Sequence, residues 1–238
     1  MPGPMRRLLS DFLRLLFPRL CAACQQSLHQ GEQVICLSCA YDLPYTDFHT
    51  YADNPVARAF WGRIPVQSAM ALLYFQRGNR TQQLLHQLKY QRQPAIGSFL
   101  GSKIGERLAT SSATNAPIDL IIPVPLHPKR QRSRGYNQSE QIARGIASVL
   151  QVPVDTSILR RQAHTSSQTR KDRTARVENM AAAFLVKQPA LLQHKHILLV
   201  DDVITTGATL EACALALQQS LSAASAPRIS IATLAYSR

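Results

Sequence analysis

The feature that most constrains this chain is an apolar run that ends in two adjacent acids and a threonine-rich turn. It occupies residues 196–217 and reads HILLVDDVITTGATLEACALAL. The unbroken apolar run 196–200 predicts a strand buried on both faces, and the Ala/Leu-rich segment 210–221 predicts a helix. The sequence therefore predicts a strand–turn–helix unit of an α/β protein, with Asp201 and Asp202 at the strand's carboxyl end, where open sheets bind ligands.

The turn after the acids has the chemistry of an anion-binding loop. Gly207 lets the backbone approach an anion closely, and the following helix presents its positive N-terminus. We therefore predict a phosphate-monoester site in the loop Thr205, Thr206, Gly207, Ala208 and Thr209. Asp201 and Asp202 would accept hydrogen bonds from ribose hydroxyls. An ordinary turn with an N-capping threonine is the alternative, and it does not account for two adjacent acids.

Other phosphate motifs are absent from the sequence. The chain has no G-x-x-x-x-G-K-[ST] and no G-x-G-x-x-G, which disfavours a P-loop NTPase and a Rossmann dinucleotide site.

The rest of the chain alternates predicted strands with predicted helices. Strands are expected at 70–75, 119–124, 180–186 and 229–236, and helices at 81–90, 96–109 and 138–150. This order predicts a mainly parallel sheet flanked by helices. Residues 5–17 fit an amphipathic helix, which either packs on the protein or lies on a membrane surface.

Four cysteines form two C-x-x-C pairs near the start of the chain. They are Cys21, Cys24, Cys36 and Cys39, and eleven residues separate the two pairs. This spacing predicts a structural zinc ribbon. We expect a module over residues 1–60 followed by an α/β domain over 61–238, with Cys213 as a buried apolar residue of that domain.

The chain is strongly basic, with a formal net charge of +13. Such a charge favours anionic partners such as phosphates, nucleic acid or anionic lipid. Two clusters lie in polar stretches that predict loops: Lys129, Arg130, Arg132 and Arg134, then Arg160, Arg161, Arg170, Lys171, Arg173 and Arg176. The alternatives are a pyrophosphate site, nucleic-acid binding and solvated surface charge. No transmembrane segment or secretory signal is expected, and we predict a cytoplasmic protein with reduced thiols.

The run ILLVDDVITTGAT (197–209) resembles the phosphoribosyl pyrophosphate (PRPP) motif of type I phosphoribosyltransferases. Together with IIPVPLHPKRQRSRGYNQSEQIARGIA (121–147), LRRQAHTSSQTRKDRTARVENMAAAF (159–184) and the cysteine module, the chain resembles the ComF/GntX family. These bacterial proteins are linked to competence and DNA utilisation. The resemblance extends from Pro18 to Tyr236.

The resemblance implies a ligand and a place for each of its parts. Asp201 and Asp202 would hold the 2′- and 3′-hydroxyls of PRPP, and Thr205–Thr209 its 5′-phosphate. The cluster 129–134 would lie beside the pyrophosphate with Mg²⁺, and the stretch 162–177 corresponds to a mobile loop that closes over the substrate.

The resemblance also implies a role in DNA uptake, with contact to single-stranded DNA and to proteins of the uptake machinery. The alternative is an active phosphoribosyltransferase with an unidentified nucleobase or amine acceptor. Some purine-salvage relatives carry a carboxylate general base where this chain has Thr205, so that role has no matching residue here.

Overall fold

The computed structural model describes residues 17–111, 116–162 and 183–237. In chain order the first helices and strands are α1 (Leu37–Tyr41), α2 (Pro55–Arg58), β1 (Ser68–Phe75), α3 (Arg80–Tyr90), α4 (Pro94–Ala109), β2 (Leu120–Pro123) and α5 (Pro128–Arg134). They are followed by α6 (Gln138–Leu150), β3 (Leu159–Arg161), β4 (Phe184–Val186), β5 (His196–Ile204), α7 (Ala208–Gln219) and β6 (Arg228–Ser237), with a short 3₁₀ turn at Pro189–Leu192. Within these ranges, no helix combines the length and the apolarity that crossing a membrane requires.

The centre of the molecule is a four-stranded sheet in the order β1-β6-β5-β2, and every neighbouring pair is parallel. Its strands are apolar and largely buried on both faces, as parallel strands covered by helices require. The sequence-based prediction of a mainly parallel sheet flanked by helices is confirmed. Because all four carboxyl ends meet at one edge, the loops after β1, β2 and β5 lie at that edge.

Helices α4 and α6 pack unusually closely against each other. Gly97, Gly101 and Gly105 follow one another at four-residue spacing on α4 and face α6, where Gly145 lies against Ser98 and Gly101. A methyl group on Gly101 would overlap with the backbone carbonyl of Ile142, and one on Gly145 with that of Ser98. The absence of side chains at these positions lets the two backbones touch.

Three local predictions were wrong or incomplete. Both basic clusters were predicted as loops. Residues 129–134 instead form α5, which begins at Pro128 behind the capping side chain of His127 and buries no residue, and Arg160 and Arg161 lie in β3. A helix exposed all round has no apolar periodicity, so the sequence pattern missed it. The strand predicted at 196–200 continues to Ile204, because pairing with β6 runs on through Asp201–Thr233 to Ile204–Tyr236.

The strand predicted at 180–186 is only partly described. Within the described residues it comprises β4, which pairs antiparallel with β3 in a separate two-stranded sheet. The helix predicted at 5–17 lies outside the described residues, apart from Phe17. So do Arg170, Lys171, Arg173 and Arg176 of the second basic cluster.

The cysteine module is fastened to the sheet domain by several hydrogen bonds. The Gln87 side chain on α3 donates to the carbonyl of Ala22 at 2.6 Å, and the Thr46 amide donates to the carbonyl of Leu72 in β1 at 3.0 Å. Buried side chains from both parts, including Phe48 and Leu73, belong to one continuous hydrophobic cluster. The boundary between residues 60 and 61 stays a prediction.

Candidate functional site

The acid pair occupies the sixth and seventh of the nine residues of β5, towards the carboxyl edge of the sheet. The Asp201 carboxylate accepts hydrogen bonds from the Ser139 hydroxyl at 2.9 Å and from the Asp202 amide at 2.8 Å. Burial, together with the neighbouring charge of Asp202, raises the pKa of Asp201 to about 7, against the lowering effect of these two hydrogen bonds and of Lys89. Near neutral pH this carboxyl can therefore exist in either protonation state.

Asp202 has a different environment from its neighbour. Its carboxylate forms an ion pair with the Lys89 ammonium of α3, with 2.9 Å between Nζ and Oδ2. Both side chains are largely buried. The pair balances one of the two acids and ties α3 to the carboxyl end of β5.

The loop after β5 ends in a left-handed glycine that opens α7. Gly207 has φ +76°. A Cβ on Gly207 would lie 3.1 Å from the ring of Phe60, so a side chain there would have to displace the loop or the ring slightly and would also be strained by the positive φ. The amide of Ala208, the first residue of α7, donates to the Thr206 hydroxyl at 3.4 Å, and the N-cap residue itself offers no side chain to the amides that follow. A helix N-terminus of this kind can bind a phosphate group.

Arg63 contacts the backbone of this loop and the helix that follows it. Its guanidinium donates to the carbonyl of Thr206 at 3.0 Å and to that of Ala59 at 2.8 Å, and it forms an ion pair with the buried Glu211 of α7. The carbonyl of Thr206 is thereby turned towards Arg63. Such fixing preserves the amide geometry that an anion would use.

The segment RGYNQS, residues 134–139, links the carboxyl ends of β2 and β5. Gly135 takes φ +81° to end α5, and the Tyr136 hydroxyl donates to the carbonyl of Leu88. Asn137 caps α6 and donates to the carbonyl of Val124 at 2.9 Å. These contacts aim Ser139, the second residue of α6, at Asp201.

Helix α5 follows β2 at the same edge. Lys129, Arg130 and Arg132 are exposed, whereas Arg134 is half-buried and donates to the Gln138 side chain at 2.9 Å. The structure therefore divides the first predicted basic cluster into three cations that face solvent and one that is engaged with the protein.

A cavity of about 450 Å³ opens beside the acid pair, between α3 and the carboxyl ends of β1, β5 and β6. Its walls include apolar and aromatic side chains together with Lys89, Asp202 and Thr205. Its size is within the usual range for small-molecule sites, about 300–1,000 Å³.

The four cysteines of the N-terminal module converge as predicted. Their sulfur atoms all lie within 4.8 Å of one another, and the Cys24 and Cys36 sulfurs are 3.8 Å apart. Zinc with four sulfurs at about 2.3 Å has tetrahedral edges of about 3.8 Å, so the site fits this metal. Burial raises the pKa of Cys21, but the amides of Cys36, Cys24 and Ala23 outweigh it and bring that pKa down to about 7.

All five cysteines are free thiols, and Cys213 in α7 is fully buried. Cys213 is thus the buried residue that the sequence predicted.

Comparison with known proteins identifies the family. Residues 137–238 match the model of the phosphoribosyl transferase domain. The DNA utilization protein YhgH of Shigella flexneri is 30% identical over 209 residues, which cover 82% of this chain and 88% of that protein. The chain belongs to the ComF/GntX family. Competence protein F of Haemophilus influenzae is 39% identical over 93 residues, 39% of this chain and 41% of that protein.

The ComF/GntX assignment agrees with the sequence-based prediction, and the structure adds residues that sequence reasoning missed. Asp201, Asp202 and the loop 205–209 lie together at the sheet edge, as expected. Lys89, Ser139 and Arg63 were not predicted as part of this site. Ser139 lies inside the stretch 121–147, whose resemblance to the family could have pointed to it. Lys89 and Arg63 belong to no sequence motif that would have marked them as site residues.

Proposed function

We propose that this ComF-family protein binds PRPP at the carboxyl edge of its sheet. The observation that carries the proposal is the juxtaposition of the Asp201–Asp202 pair with the loop 205–209 and the N-terminus of α7. The ribose 2′- and 3′-hydroxyls donate to the acids, and the 5′-phosphate accepts from the loop amides and threonine hydroxyls.

Helix α5 supplies the positive charge that the pyrophosphate of PRPP requires. Three cations of this helix are exposed at the edge of the sheet where the acid pair lies: Lys129, Arg130 and Arg132. They can neutralise the negative charge of the pyrophosphate. Mg²⁺ accompanies PRPP in this proposal, because it is usually held by substrate phosphates with few protein ligands. Arg170, Lys171, Arg173 and Arg176 belong to the same proposal on sequence grounds alone.

In the cell we propose a role in DNA utilisation, as the names of its relatives indicate: DNA utilization protein and competence protein. The exposed cations of α5 would contact the phosphates of single-stranded DNA, and the chain would act with proteins of the DNA-uptake machinery. Neutralising phosphates makes binding fall with rising salt.

A catalytic function is the second candidate, favoured by the cavity beside the acids. Phosphoribosyl transfer needs a space next to the ribose for an acceptor, and the cavity lined by Asp202 and Thr205 offers one. The acceptor would be a nucleobase or an amine. Incubation of the zinc-loaded protein with PRPP, Mg²⁺ and a panel of both classes would reveal it by release of pyrophosphate.

Calorimetric titration of Mg²⁺–PRPP into the full chain tests the central proposal. We expect saturable binding in the wild type and its loss in the double variant Asp201→Asn/Asp202→Asn. Affinity should rise between about pH 6 and pH 8, because ionised Asp201 accepts hydrogen bonds from the ribose diol. Equal heats in the wild type and the double variant, or no heat in either, would reject the PRPP site.

The DNA role is tested separately, by anisotropy of a labelled single strand at several salt concentrations. The variant Lys129→Ala/Arg130→Ala/Arg132→Ala should reduce the slope of log affinity against log salt by about 2, at about 0.7 per phosphate contact. Lys187→Ala/Lys195→Ala is the matched control: both lysines are exposed, and Lys195 directly precedes β5, at the opposite edge of the sheet. The same slope in both variants would exclude α5 as the DNA contact.

A further inference from the structure

A second cavity lies at the amino edge of the sheet, on the side opposite to the acid pair. Its volume is about 540 Å³, and it opens where β1 and β6 begin, beside the last turns of α7. Its walls come from Pro65–Gln67 before β1, from the end of α7 and from the stretch 221–229. This volume is within the usual range for small-molecule sites, about 300–1,000 Å³. The proposed binding of PRPP makes no use of this cavity.

The walls of this second cavity are largely apolar. Val66, Leu215 and Leu221 line it, and each is only half-buried against the hydrophobic core. Part of each side chain therefore stays in contact with water. A ligand that covers these side chains removes their apolar surface from water, so the cavity favours a ligand with an apolar body.

The charge of this cavity has a single sign. Of the described residues that line it, Arg228 is the only charged one, and its side chain is exposed. No carboxylate in the described part of the chain forms an ion pair with the Arg228 guanidinium. The Arg228 amide donates to the carbonyl of Lys195 at 2.9 Å, so a second exposed cation lies next to it. A guanidinium without an acidic partner favours a carboxylate, which it can bind through two parallel hydrogen bonds.

Hydrogen bonds between the walls hold the cavity in shape. The Gln67 amide donates to the carbonyl of Ile229 at 2.7 Å and thereby joins the start of β1 to β6. The Gln218 side chain, near the end of α7, donates to the carbonyl of Pro65 at 3.1 Å. The cavity is therefore formed by segments that are bonded to one another, as in most small-molecule sites.

The cavity is connected to the loop 205–209 through α7. This helix begins at the loop, and its last turns line the cavity about 18 Å away, at 1.5 Å per residue. A second connection runs beside the helix. Arg63 donates to the carbonyl of Thr206 at 3.0 Å, and two residues later Pro65 accepts the bond from Gln218. A shift at the end of α7 therefore has two covalent routes to the loop.

We propose that the cavity between the amino ends of β1 and β6 and the end of α7 binds a small apolar carboxylate. The carboxylate pairs with Arg228, and the apolar body covers Val66, Leu215 and Leu221. We also propose that this binding changes the affinity of the loop 205–209 for a phosphate group. The binding itself is independent of the proposed function, whereas the coupling rests on the loop being a phosphate site.

Titration of the zinc-loaded full chain with octanoate tests the binding, with octanamide as the uncharged probe of the same length. Amide chemical shifts in NMR spectra report both the affinity and the place of binding. We expect saturable shifts at residues 66–67, 215–219 and 228–229 with octanoate. Octanamide should bind at least about tenfold more weakly, because it lacks the charge that Arg228 recognises.

Two variants test the assignment of the carboxylate to Arg228. Arg228→Gln should weaken octanoate binding by about 10- to 100-fold and leave octanamide binding within about twofold. Ala223→Asp adds an acid at an exposed lining position and should weaken octanoate binding severalfold, which gives a second measurement if Arg228→Gln melts at a lower temperature. Arg77→Gln is the matched control, because Arg77 is exposed in the turn after β1, at the opposite edge of the sheet.

No saturable shift with octanoate, equal binding of octanoate and octanamide, or wild-type affinity in both cavity variants overturns the proposed site. Calorimetry of Mg²⁺–PRPP with and without saturating octanoate tests the coupling. We expect the affinity for PRPP to change by about fivefold or more, and this change to be lost in Arg228→Gln. An unchanged affinity would overturn the coupling and leave the site standing. If PRPP itself did not bind, the proposed function would fail, while the octanoate titrations would still decide whether the cavity is a binding site.

Discussion

The surroundings of Asp201 shift its pKa in two opposite directions. Its Oδ1 atom accepts both the Ser139 hydroxyl and the Asp202 amide, which favours the charged form. Burial and the adjacent Asp202 charge favour the neutral form and dominate, so that the pKa rises to about 7. A carboxyl whose pKa is displaced in this way, at the carboxyl end of a strand, is a candidate ligand-binding group.

The variant Asp201→Asn should therefore be more stable than the wild type at alkaline pH. Asparagine keeps an oxygen where Oδ1 accepts both hydrogen bonds and removes the buried charge. Because the folded-state pKa is above the unfolded value, Asp201 makes wild-type stability fall as pH rises from about 4 to about 7. We expect the variant to exceed the wild type by about 1–3 kcal/mol at pH 8, and the difference to vanish near pH 4.

Urea denaturation of both proteins between pH 4 and pH 8 measures this difference. Asp202→Asn is the control: it leaves the Lys89 ammonium largely buried without its 2.9 Å partner, so it should destabilise the protein at pH 8. A stability difference between Asp201→Asn and the wild type that does not change with pH would contradict the assignment of the raised pKa to Asp201.

At the scale of elements, the junction between β5 and α7 depends on one backbone conformation. Gly207 combines φ +76° with a ring 3.1 Å from where its Cβ would lie. Gly62 has a similar φ of +69°, but a Cβ there would meet nothing within 4 Å. The two glycines therefore separate backbone strain from steric displacement.

Gly207→Ala should lower both the stability of the protein and its affinity for PRPP. Gly62→Ala should lower the stability alone. Each variant incurs about 1 kcal/mol of left-handed strain, and Gly207→Ala in addition pushes the loop away from Phe60. We expect its PRPP affinity to fall severalfold, because small displacements misalign the donors of a preorganised site. Thermal melting with parallel calorimetry measures both effects; equal PRPP affinity in the two variants would contradict a rigid phosphate loop.

The second prediction at the scale of elements concerns the close contact between α4 and α6. Gly101→Ala places a methyl group against the Ile142 carbonyl, so the helices must separate despite alanine's better helix propensity. We expect a loss of about 1–3 kcal/mol or more, as for overpacked cores. Ser102→Ala, one residue further on the same helix, is the control and should cost less than about 1 kcal/mol, because it removes only the local bond to the Phe99 carbonyl. Urea midpoints measure both; a Gly101→Ala variant as stable as the wild type would contradict the close packing.

Sequence patterns predicted these elements unevenly, for physical reasons. Strand β6 and helix α6 were expected close to their observed bounds, because the strand is rich in apolar residues and the helix has clear apolar periodicity. Strand β5 was predicted four residues too short, because the acids at 201 and 202 end its apolar run. Helix α5 was not predicted, because hydrophobic periodicity does not detect an exposed polar helix. This helix is stabilised by the proline at its first position, Pro128, and by its N-terminal cap. The four-residue glycine spacing on α4 was visible in the sequence, but its meaning requires knowing the partner helix.

The candidate site could be predicted where its residues lie in one continuous segment of the chain. The acids and the loop 205–209 are contiguous in the chain, so a joint role could be predicted from the residues 201–209 alone. The pairing of Lys89 with Asp202 joins positions more than a hundred residues apart, and no local pattern encodes it. The same holds for the approach of Tyr90 to Arg134, which only the folded chain brings about.

At the scale of the whole molecule, the cysteine module and the candidate site share α3. The module is attached to this helix through the Gln87–Ala22 hydrogen bond and through the Arg80–Asp42 ion pair at 2.5 Å. Lys89 and Tyr90, two and three residues after Gln87, line the cavity. A metal bound by the four sulfurs would therefore help to fix one wall of the cavity beside the acid pair.

Loss of the metal should accordingly weaken PRPP binding, because α3 carries the Lys89 that pairs with Asp202. We expect about one zinc per chain in the wild type and none in Cys36→Ser, which removes one corner of the sulfur tetrahedron. Cys213→Ser is the matched control, since it places the same hydroxyl in a buried site away from the cluster and should keep the zinc while costing about 1–3 kcal/mol. Metal analysis, thermal melting and calorimetric titration of PRPP on both variants test the linkage. If Cys36→Ser retained the wild-type metal content, the four-sulfur site would be excluded; if it lost the metal but kept the wild-type affinity for PRPP, the link through α3 would be excluded.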